Sequence, residues 1–319
     1  AKLQYSNTND TLCDKATPII VQHQSCDMPT FERVVVVMKK ADEDKVLSAL
    51  TKIQEEDPSI IVYRDEEFLE LRIIGMGETH LDIIKSKLEA KFGITIEFEL
   101  PSVPYRETIK GHADVQGRYK KQSGGHGQFG DVKIMFEPRT DGEDELLFVN
   151  QIVGGVVPKQ YIPAVEKGFH EACEKGLLAG FPVIGVHANL KDGKYHDVDS
   201  SEMAFKLAAH LAYKDAMPKA GCILLEPIEN VKVVVPEEYT GTIIGDLNKR
   251  RGTIMGMDME NGRQVITATV PLAELLKYPT DLRSMTQGRG VYTQEFDHYD
   301  PVPGNIAEKI VAEAAKDED

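Results

Sequence analysis

Residues 33–100 read RVVVVMKKADEDKVLSALTKIQEEDPSIIVYRDEEFLELRIIGMGETHLDIIKSKLEAKFGITIEFEL, and the periodicity of this stretch decides the fold. Val34 to Met38 is an unbroken apolar run, mostly β-branched, which predicts a buried strand. Val46, Leu47, Leu50 and Ile53 fall at helical spacing, and Asp57-Pro58 stops that helix. Ile60 to Tyr63, the acidic turn Asp65-Glu66-Glu67, and the alternation of Leu69, Leu71 and Ile73 against Glu70 and Arg72 predict a hairpin. Leu81, Ile84, Leu88 and Phe92 mark a second helix, closed by Gly93 as the residue best able to take a left-handed cap. A last strand alternates Ile94, Ile96, Phe98 and Leu100 against Thr95, Glu97 and Glu99. The order βαββαβ is that of a ferredoxin-like split-βαβ sandwich, with both helices on one face of the sheet.

Outward from this stretch the same order returns near the C-terminus. Val231, Val233 and Val235 alternate, and Ile243, Ile244 and Leu247 predict a helix. Thr253 to Met259 and Arg263 to Val270 flank the hairpin turn Asn261-Gly262. Leu272, Leu275, Leu276 and Leu282 predict the second helix, Val291 to Tyr299 the final strand, and an acidic, Ala-rich helix begins at about Asn305. Between the two sandwiches the plan differs. Strands are expected at Arg106 to Val115, Phe129 to Glu137, Leu146 to Val153 and Pro182 to Leu190, with helices at Ala164 to Lys175 and Ser201 to Met217. The first ~30 residues, with Asp10-Thr11-Leu12-Cys13 and Thr17-Pro18-Ile19-Ile20, read as short β fragments ending a domain whose beginning is absent.

Composition limits the function classes. With 319 residues, 41% hydrophobic and 28% charged, the chain has the balance of a globular protein of two or three domains. Cys13, Cys26, Cys173 and Cys222 are scattered without metal-site spacing, which points to a reduced, cytoplasmic protein. No signal segment or membrane-length apolar run is present. A formal charge of -15 opposes indiscriminate binding to a polyanion, so any RNA contact must be local.

Two loops in the middle segment carry the candidate chemistry. The first, Lys120-Lys121-Gln122-Ser123-Gly124-Gly125-His126-Gly127-Gln128-Phe129-Gly130, combines glycines, which let backbone N–H groups approach a ligand, with Arg118, Lys120 and Lys121 as phosphate partners. A flexible glycine hairpin with solvated lysines is the plainer reading. The loop lacks the G-x-x-x-x-G-K-[S/T] spacing of a P-loop, as does the rest of the chain, and Gly75-Met76-Gly77 lacks the third glycine of a dinucleotide fingerprint. The second loop is Gly193-Lys194-Tyr195-His196-Asp197-Val198-Asp199-Ser200-Ser201-Glu202. Asp199 and Glu202 have the spacing of a capping box, which leaves Lys194, Tyr195 and His196 to offer a cation, a stacking ring and a hydrogen bond to RNA. Lys249, Arg250 and Arg251 either complement a helix C-terminus or meet a phosphate backbone. Two readings of another class stand beside these. One is a metal-dependent hydrolase on His196, Asp197 and Asp199; the other is a regulatory protein binding a small effector between ferredoxin-like domains.

Taken together, the motifs resemble translation elongation factor G. The matching stretches are Gly75-Met76-Gly77-Glu78, Tyr105-Arg106-Glu107-Thr108, Gln122-Ser123-Gly124-Gly125, Gly154-Gly155-Val156-Val157-Pro158, Tyr195 to Glu202, Leu225-Glu226-Pro227, Gly245-Asp246-Leu247 and Leu282 to Gly290. The resemblance implies an α+β chain in which two ferredoxin-like βαββαβ domains flank a ribosomal-protein-like α+β domain, after a short β-barrel remnant. On that reading residues 1–28 are the end of domain II and 29–103 are domain III. Residues 104–227 are domain IV, and 228–319 are domain V with a C-terminal helix. It further implies a monomeric, cytoplasmic arm whose partners are the ribosome, through rRNA and ribosomal proteins, the tRNA–mRNA pair and a GTPase domain missing from this sequence. This chain would hold no catalytic residue, metal or cofactor, and GTP and magnesium would belong to the missing domain. The RNA-reaching tip of domain IV would comprise Lys121, Gln122, Ser123, Gly124, Gly125, His126, Gln128, Lys194, Tyr195, His196 and Asp197, with Lys249, Arg250 and Arg251 as rRNA contacts of domain V. Departures at His126, Thr79, Glu99-Leu100-Pro101 and Met28-Pro29-Thr30 point to a diverged paralogue, one specialised for ribosome recycling or protection.

Overall fold

The structure, a computed structural model, describes residue 8 and residues 10–22, 28–122 and 127–317. It divides into two compact units. One comprises residues 1–103 and 228–297, the other residues 104–227 and 298–319.

In the first unit, the stretch that opened the sequence reading forms β1 (Phe31–Val37), α1 (Glu43–Glu56), β2 (Ile61–Arg64), β3 (Leu71–Gly75), α2 (Glu78–Phe92) and β4 (Ile96–Glu99). The sheet order is β2-β3-β1-β4, and every pair is antiparallel, as the ferredoxin-like reading requires. Both helices bury one stripe, Val46, Ala49, Leu50 and Ile53 from α1 and Leu81, Ile84 and Leu88 from α2. Leu47, expected on the inner face, is exposed, and Ala49 takes the inner position because it lies three residues from Val46 and four from Ile53. Gly93 caps α2 at φ 68°. Two expectations for the hairpin fail. Leu69 is exposed at φ 55°, so the strand begins only at Leu71. Arg72, read as an outward-facing residue, is buried, because Glu32, Asp65 and Glu70 surround its guanidinium at 3.5, 3.2 and 2.8 Å.

The same unit holds the second sandwich, from α5 (Thr240–Lys249), β11 (Thr253–Glu260), β12 (Arg263–Pro271), α6 (Leu272–Leu275) and α7 (Tyr278–Met285), together with stretches of β10 (Cys222–Val235) and β13 (Val291–Pro301). Its strand order, β11-β12-β10-β13, repeats that of the first sandwich. Asn261 and Gly262, both at positive φ, make the predicted tight turn. The single helix expected from Leu272 to Leu282 is two, because Pro279 supplies no N–H and sits in the first turn of α7.

In the second unit, a four-stranded sheet runs β6 (Ala113–Lys121), β7 (Gln128–Pro138), β9 (Val186–Lys194), β8 (Leu147–Asn150), the last pair parallel. The expected strand from Arg106 to Val115 is broken: β5 (Arg106–Ile109) pairs with Cys222 to Leu225 of β10, and only β6 joins this sheet. Helices α3 (Ile162–Cys173) and α4 (Glu202–Ala220) cover one face. Helix α4 lies almost against the backbone of the sheet. A Cβ on Gly117 would stand 2.0 Å from the Ala208 carbonyl oxygen, and one on Gly130 2.5 Å from that of Ala204. Glycine on the strands facing alanine on α4 is what allows this approach. Helix α8 (Gly304–Asp317) also belongs to this unit.

Of the described residues among the first 28, none lies in a strand, and Leu12, Ile19, Ile20 and Val21 are exposed. The β fragments expected there are therefore not formed among those residues, since no neighbouring strand pairs with them. No helix among the described residues is long and apolar enough to cross a membrane.

Candidate nucleic-acid interface

The two loops singled out in the sequence meet at one end of the β6-β7-β9 sheet. Strands β6 and β7 pair up to Lys121 opposite Gln128, and β9 ends at Lys194 opposite Asp131. Directly opposed residues share a face. Arg118 faces Asp131, Asp131 faces Lys194, and Lys120 faces Phe129, so Arg118, Lys120 and Lys194 project from the face not covered by α4. All three are exposed. A bulge between Lys133 and Ile134 admits Lys191 as an extra residue in β9 and sets this register.

The cations around this row are not equivalent. Lys133 is engaged by Asp192 at 3.0 Å. That hydrogen bond, helped by the Gly193 N–H, holds the Asp192 carboxyl below the usual range. Asp131 is buried and accepts from the Gln116 amide at 2.7 and 2.9 Å, with Arg118 at 3.8 Å. The Arg118 guanidinium also lies over the Phe129 ring, 5.6 Å from its centroid.

The second loop is tied to the first by a small network. Asp199 Oδ1 accepts from the Gly127 N–H at 3.0 Å, and the Asp199 carbonyl accepts from the Phe129 N–H at 2.8 Å. The Ser200 hydroxyl donates to the Phe129 carbonyl at 2.9 Å and accepts from the His196 N–H at 2.9 Å. His196 Nδ1 accepts from the N–H groups of Val198 and Asp199, and its ring stands edge-on to Phe129 at 6.4 Å. Lys194, Tyr195, His196 and Asp197 are all exposed on this frame.

The structure thus brings Lys121, Gln122 and Gln128 together with Lys194, Tyr195, His196 and Asp197. Ser123, Gly124, Gly125 and His126 lie outside the described residues. The capping box reading of Asp199 is corrected: Ser201 is the N-cap, accepting from the Ala204 N–H at 3.2 Å, and the Asp199 carboxylate is held by the first loop instead. The metal-hydrolase reading also loses its ligands. His196 Nδ1 already accepts from backbone N–H groups, Asp199 is committed to Gly127, and no group of three His, Cys, Asp or Glu among the described residues is placed to hold a metal ion. In the other unit, Arg250 is committed to Asp246 and Asp281 at 2.7 and 2.6 Å and lies over the Tyr278 ring, while Arg251 pairs with Glu274 at 3.2 Å. Of that basic triplet Lys249 is the exposed member. The sequence reading missed the shared face of Arg118, Lys120 and Lys194. Strand alternation signals it for Arg118 and Lys120, but Lys194 joins them only through pairing.

The structure gives several motif residues a physical role. Glu107 is buried, and its carboxylate accepts from the N–H groups of Leu178, Ala179 and Phe181 at 2.9, 2.8 and 3.2 Å, fixing the loop after α3. The Arg283 side chain packs on Gly77 and donates to the Met76 carbonyl. The Thr286 hydroxyl, fully buried, donates to the Leu282 carbonyl and accepts from the Gly290 N–H.

Three sequence models of one family match consecutive parts of the chain. Elongation factor G domain III matches residues 27–100, domain IV residues 101–221, and the elongation factor G C-terminus residues 223–310. A crystal structure of a protein from Thermus thermophilus is similar over 92% of this chain, with 46% identity and a TM-score of 0.82. The match covers 44% of that protein, so this chain spans less than half of its length. Residues 27–310 carry, in order, the third, fourth and C-terminal domains of elongation factor G, and the chain belongs to the elongation factor G family.

Proposed function

We propose that this chain is the ribosome-engaging arm of an elongation factor G-like translation factor. The end of the β6-β7-β9 sheet would reach RNA and help tRNA and mRNA advance, coupled in the full-length protein to GTP hydrolysis. The observation that carries this reading is the convergence of two loops distant in sequence into one exposed end, with Lys121 and Lys194 beside Tyr195 and His196, on a protein of net charge -15. A local cationic face with an aromatic ring and an imidazole suits phosphate contact and base stacking, whereas the acidic remainder keeps the contact local. No segment of the chain has P-loop spacing, so on this reading its residues hold no nucleotide of their own. Their part is contact and positioning.

Co-sedimentation of the purified chain with ribosomes tests the reading. Binding that is lost when Lys120, Lys121 and Lys194 become Glu supports it, and no binding by the parent chain overturns it. In the full-length protein, His196→Ala is expected to slow translocation while leaving GTP hydrolysis nearly intact. Equal loss of both would remove the role given to the tip.

A further inference from the structure

The His196 ring turns one nitrogen toward its own loop and leaves the other open. Nδ1 accepts from the N–H groups of Val198 and Asp199 at 3.3 and 3.2 Å. A ring nitrogen that accepts from backbone donors carries no proton, so in the neutral imidazole the proton sits on Nε2. Asp199 Oδ2 stands 3.6 Å from Nδ1, beyond hydrogen-bond reach, and Oδ1 of the same carboxylate accepts from the Gly127 N–H. Nε2 has no hydrogen-bond partner among the described residues, and the side chain is 57% exposed.

The surroundings fix where this donor points. The His196 N–H donates to the Ser200 hydroxyl at 2.9 Å, and the Ser200 N–H donates to the His196 carbonyl at 3.1 Å. The Ser200 hydroxyl in turn donates to the Phe129 carbonyl at 2.9 Å, and the Phe129 ring meets the imidazole edge-on. The backbone on both sides of His196 is therefore closed into a turn, with the ring held at Nδ1 and against Phe129. Charge at this end of the sheet comes from Lys121 and Lys194, whose ammonium groups suit phosphate oxygens. A neutral N–H is matched instead to an uncharged acceptor, a ribose 2′ oxygen or an acceptor atom on a base edge.

We propose that His196 is a specificity-determining residue of the tip: a neutral Nε2–H donor to an uncharged nucleotide acceptor. Ser200, Phe129 and the N–H groups of Val198 and Asp199 are its positioning frame. The choice of RNA as partner rests on the ribosome-binding reading, whereas the tautomer rests on this chain alone.

Long-range proton–nitrogen correlation on the chain labelled with nitrogen-15 histidine, at about pH 8, reads the tautomer. His196 is assigned by the signal that His196→Gln removes. The Nε2–H pattern is expected, and an Nδ1–H or imidazolium pattern would overturn the proposal. Binding of a short single-stranded RNA and of DNA with the same sequence tests the donor. His196→Gln keeps an outward amide N–H and is expected to stay within about twofold of the parent chain. His196→Asn keeps the inward acceptor but loses the outward donor, and is expected to weaken RNA binding about fivefold, the scale of one neutral hydrogen bond. Weakening on RNA alone identifies the 2′ oxygen, and weakening on both strands identifies a base edge. Because the donor is neutral, the slope of log affinity against log salt is expected to stay the same in His196→Asn; a fall of about one unit would make His196 a phosphate-binding cation and overturn the proposal. Equal affinity of the two variants, or no RNA binding by the parent chain, would overturn it as well. Loss of ribosome co-sedimentation by the parent chain strikes the ribosome reading, while a wrong tautomer with ribosome binding intact strikes this inference only.

Discussion

The Asp199 carboxylate accepts a hydrogen bond from the Gly127 N–H at 3.0 Å, joining two loops 72 residues apart in the chain. A hydrogen bond to a charged group contributes on the order of 1.5–3 kcal/mol, and partial exposure of Asp199 puts this one at the low end. Asp199→Ala is therefore expected to raise amide hydrogen exchange at Gly127 by roughly tenfold while moving the global melting temperature little. Unchanged exchange at Gly127 would mean that the backbone contacts of Phe129 and Ser200 alone hold the loops together.

The approach of α4 to the sheet makes a sharper case. Gly117→Ala places a methyl carbon 2.0 Å from the Ala208 carbonyl oxygen and 2.7 Å from the Ala212 nitrogen, where only backbone can yield. A loss of about 3 kcal/mol or more is expected in chemical denaturation. Gly256→Ala, where nothing lies within 4 Å, is the control and is expected to change stability by less than about 1 kcal/mol.

Glu107 anchors the loop after α3 through three backbone N–H groups. Glu107→Ala leaves those donors buried and unanswered, at a cost of about 3 kcal/mol or more. Glu107→Gln keeps one acceptor oxygen and is expected to lose less. Proteolysis within residues 174–181 would report the opening of this loop.

Burial lowers the pKa of His210 from its ordinary value of 6.5; Glu171 opposes this, and Lys206 and Lys214 add to it. The sign follows from linkage. Below pH 6.5 the unfolded chain takes up a proton that the folded chain still refuses, so stability present above 6.5 falls as pH drops toward the lower folded value. His210→Gln is expected to flatten this part of the stability profile, measured by urea titration between about pH 5 and pH 8. A variant profile as steep as the parent's would assign the slope to another group.

On the proposed function, the row of Arg118, Lys120 and Lys194 meets phosphates, and each cation releases counterions on binding. Replacing all three with Gln is expected to reduce the slope of log affinity against log salt by about two units. The measurement is rRNA binding across a salt series. An unchanged slope would move the contact elsewhere on the surface.

Much of this architecture is visible in the sequence, for local reasons. The Gly93 cap and the Asn261-Gly262 turn are set by backbone sterics and appear in the structure as read, whereas the strand read from Ile94 to Leu100 runs only from Ile96 to Glu99, with Ile94 and Ile96 buried and Leu100 exposed. The readings that failed depended on partners remote in the chain. Arg72 looks like an outward-facing strand residue until Glu32 and Asp65 are brought around it. Asp199 has capping spacing, but Ser201 takes the cap and Gly127 takes the carboxylate. The pairing of Arg250 with Asp281 and of Arg251 with Glu274 is likewise invisible in the sequence.

Short-range periodicity and residues contiguous in the chain suffice to specify the two βαββαβ sandwiches, the family and the two loops that carry unusual chemistry. Other properties exist only once the chain has folded. Lys194 stands level with Arg118 across Asp131, Asp199 joins the loops, and a cavity of about 450 Å³ lies between α3, α4 and α8. Register, long-range hydrogen bonding and the space left between packed helices are properties of pairs of distant segments, and no local pattern encodes them.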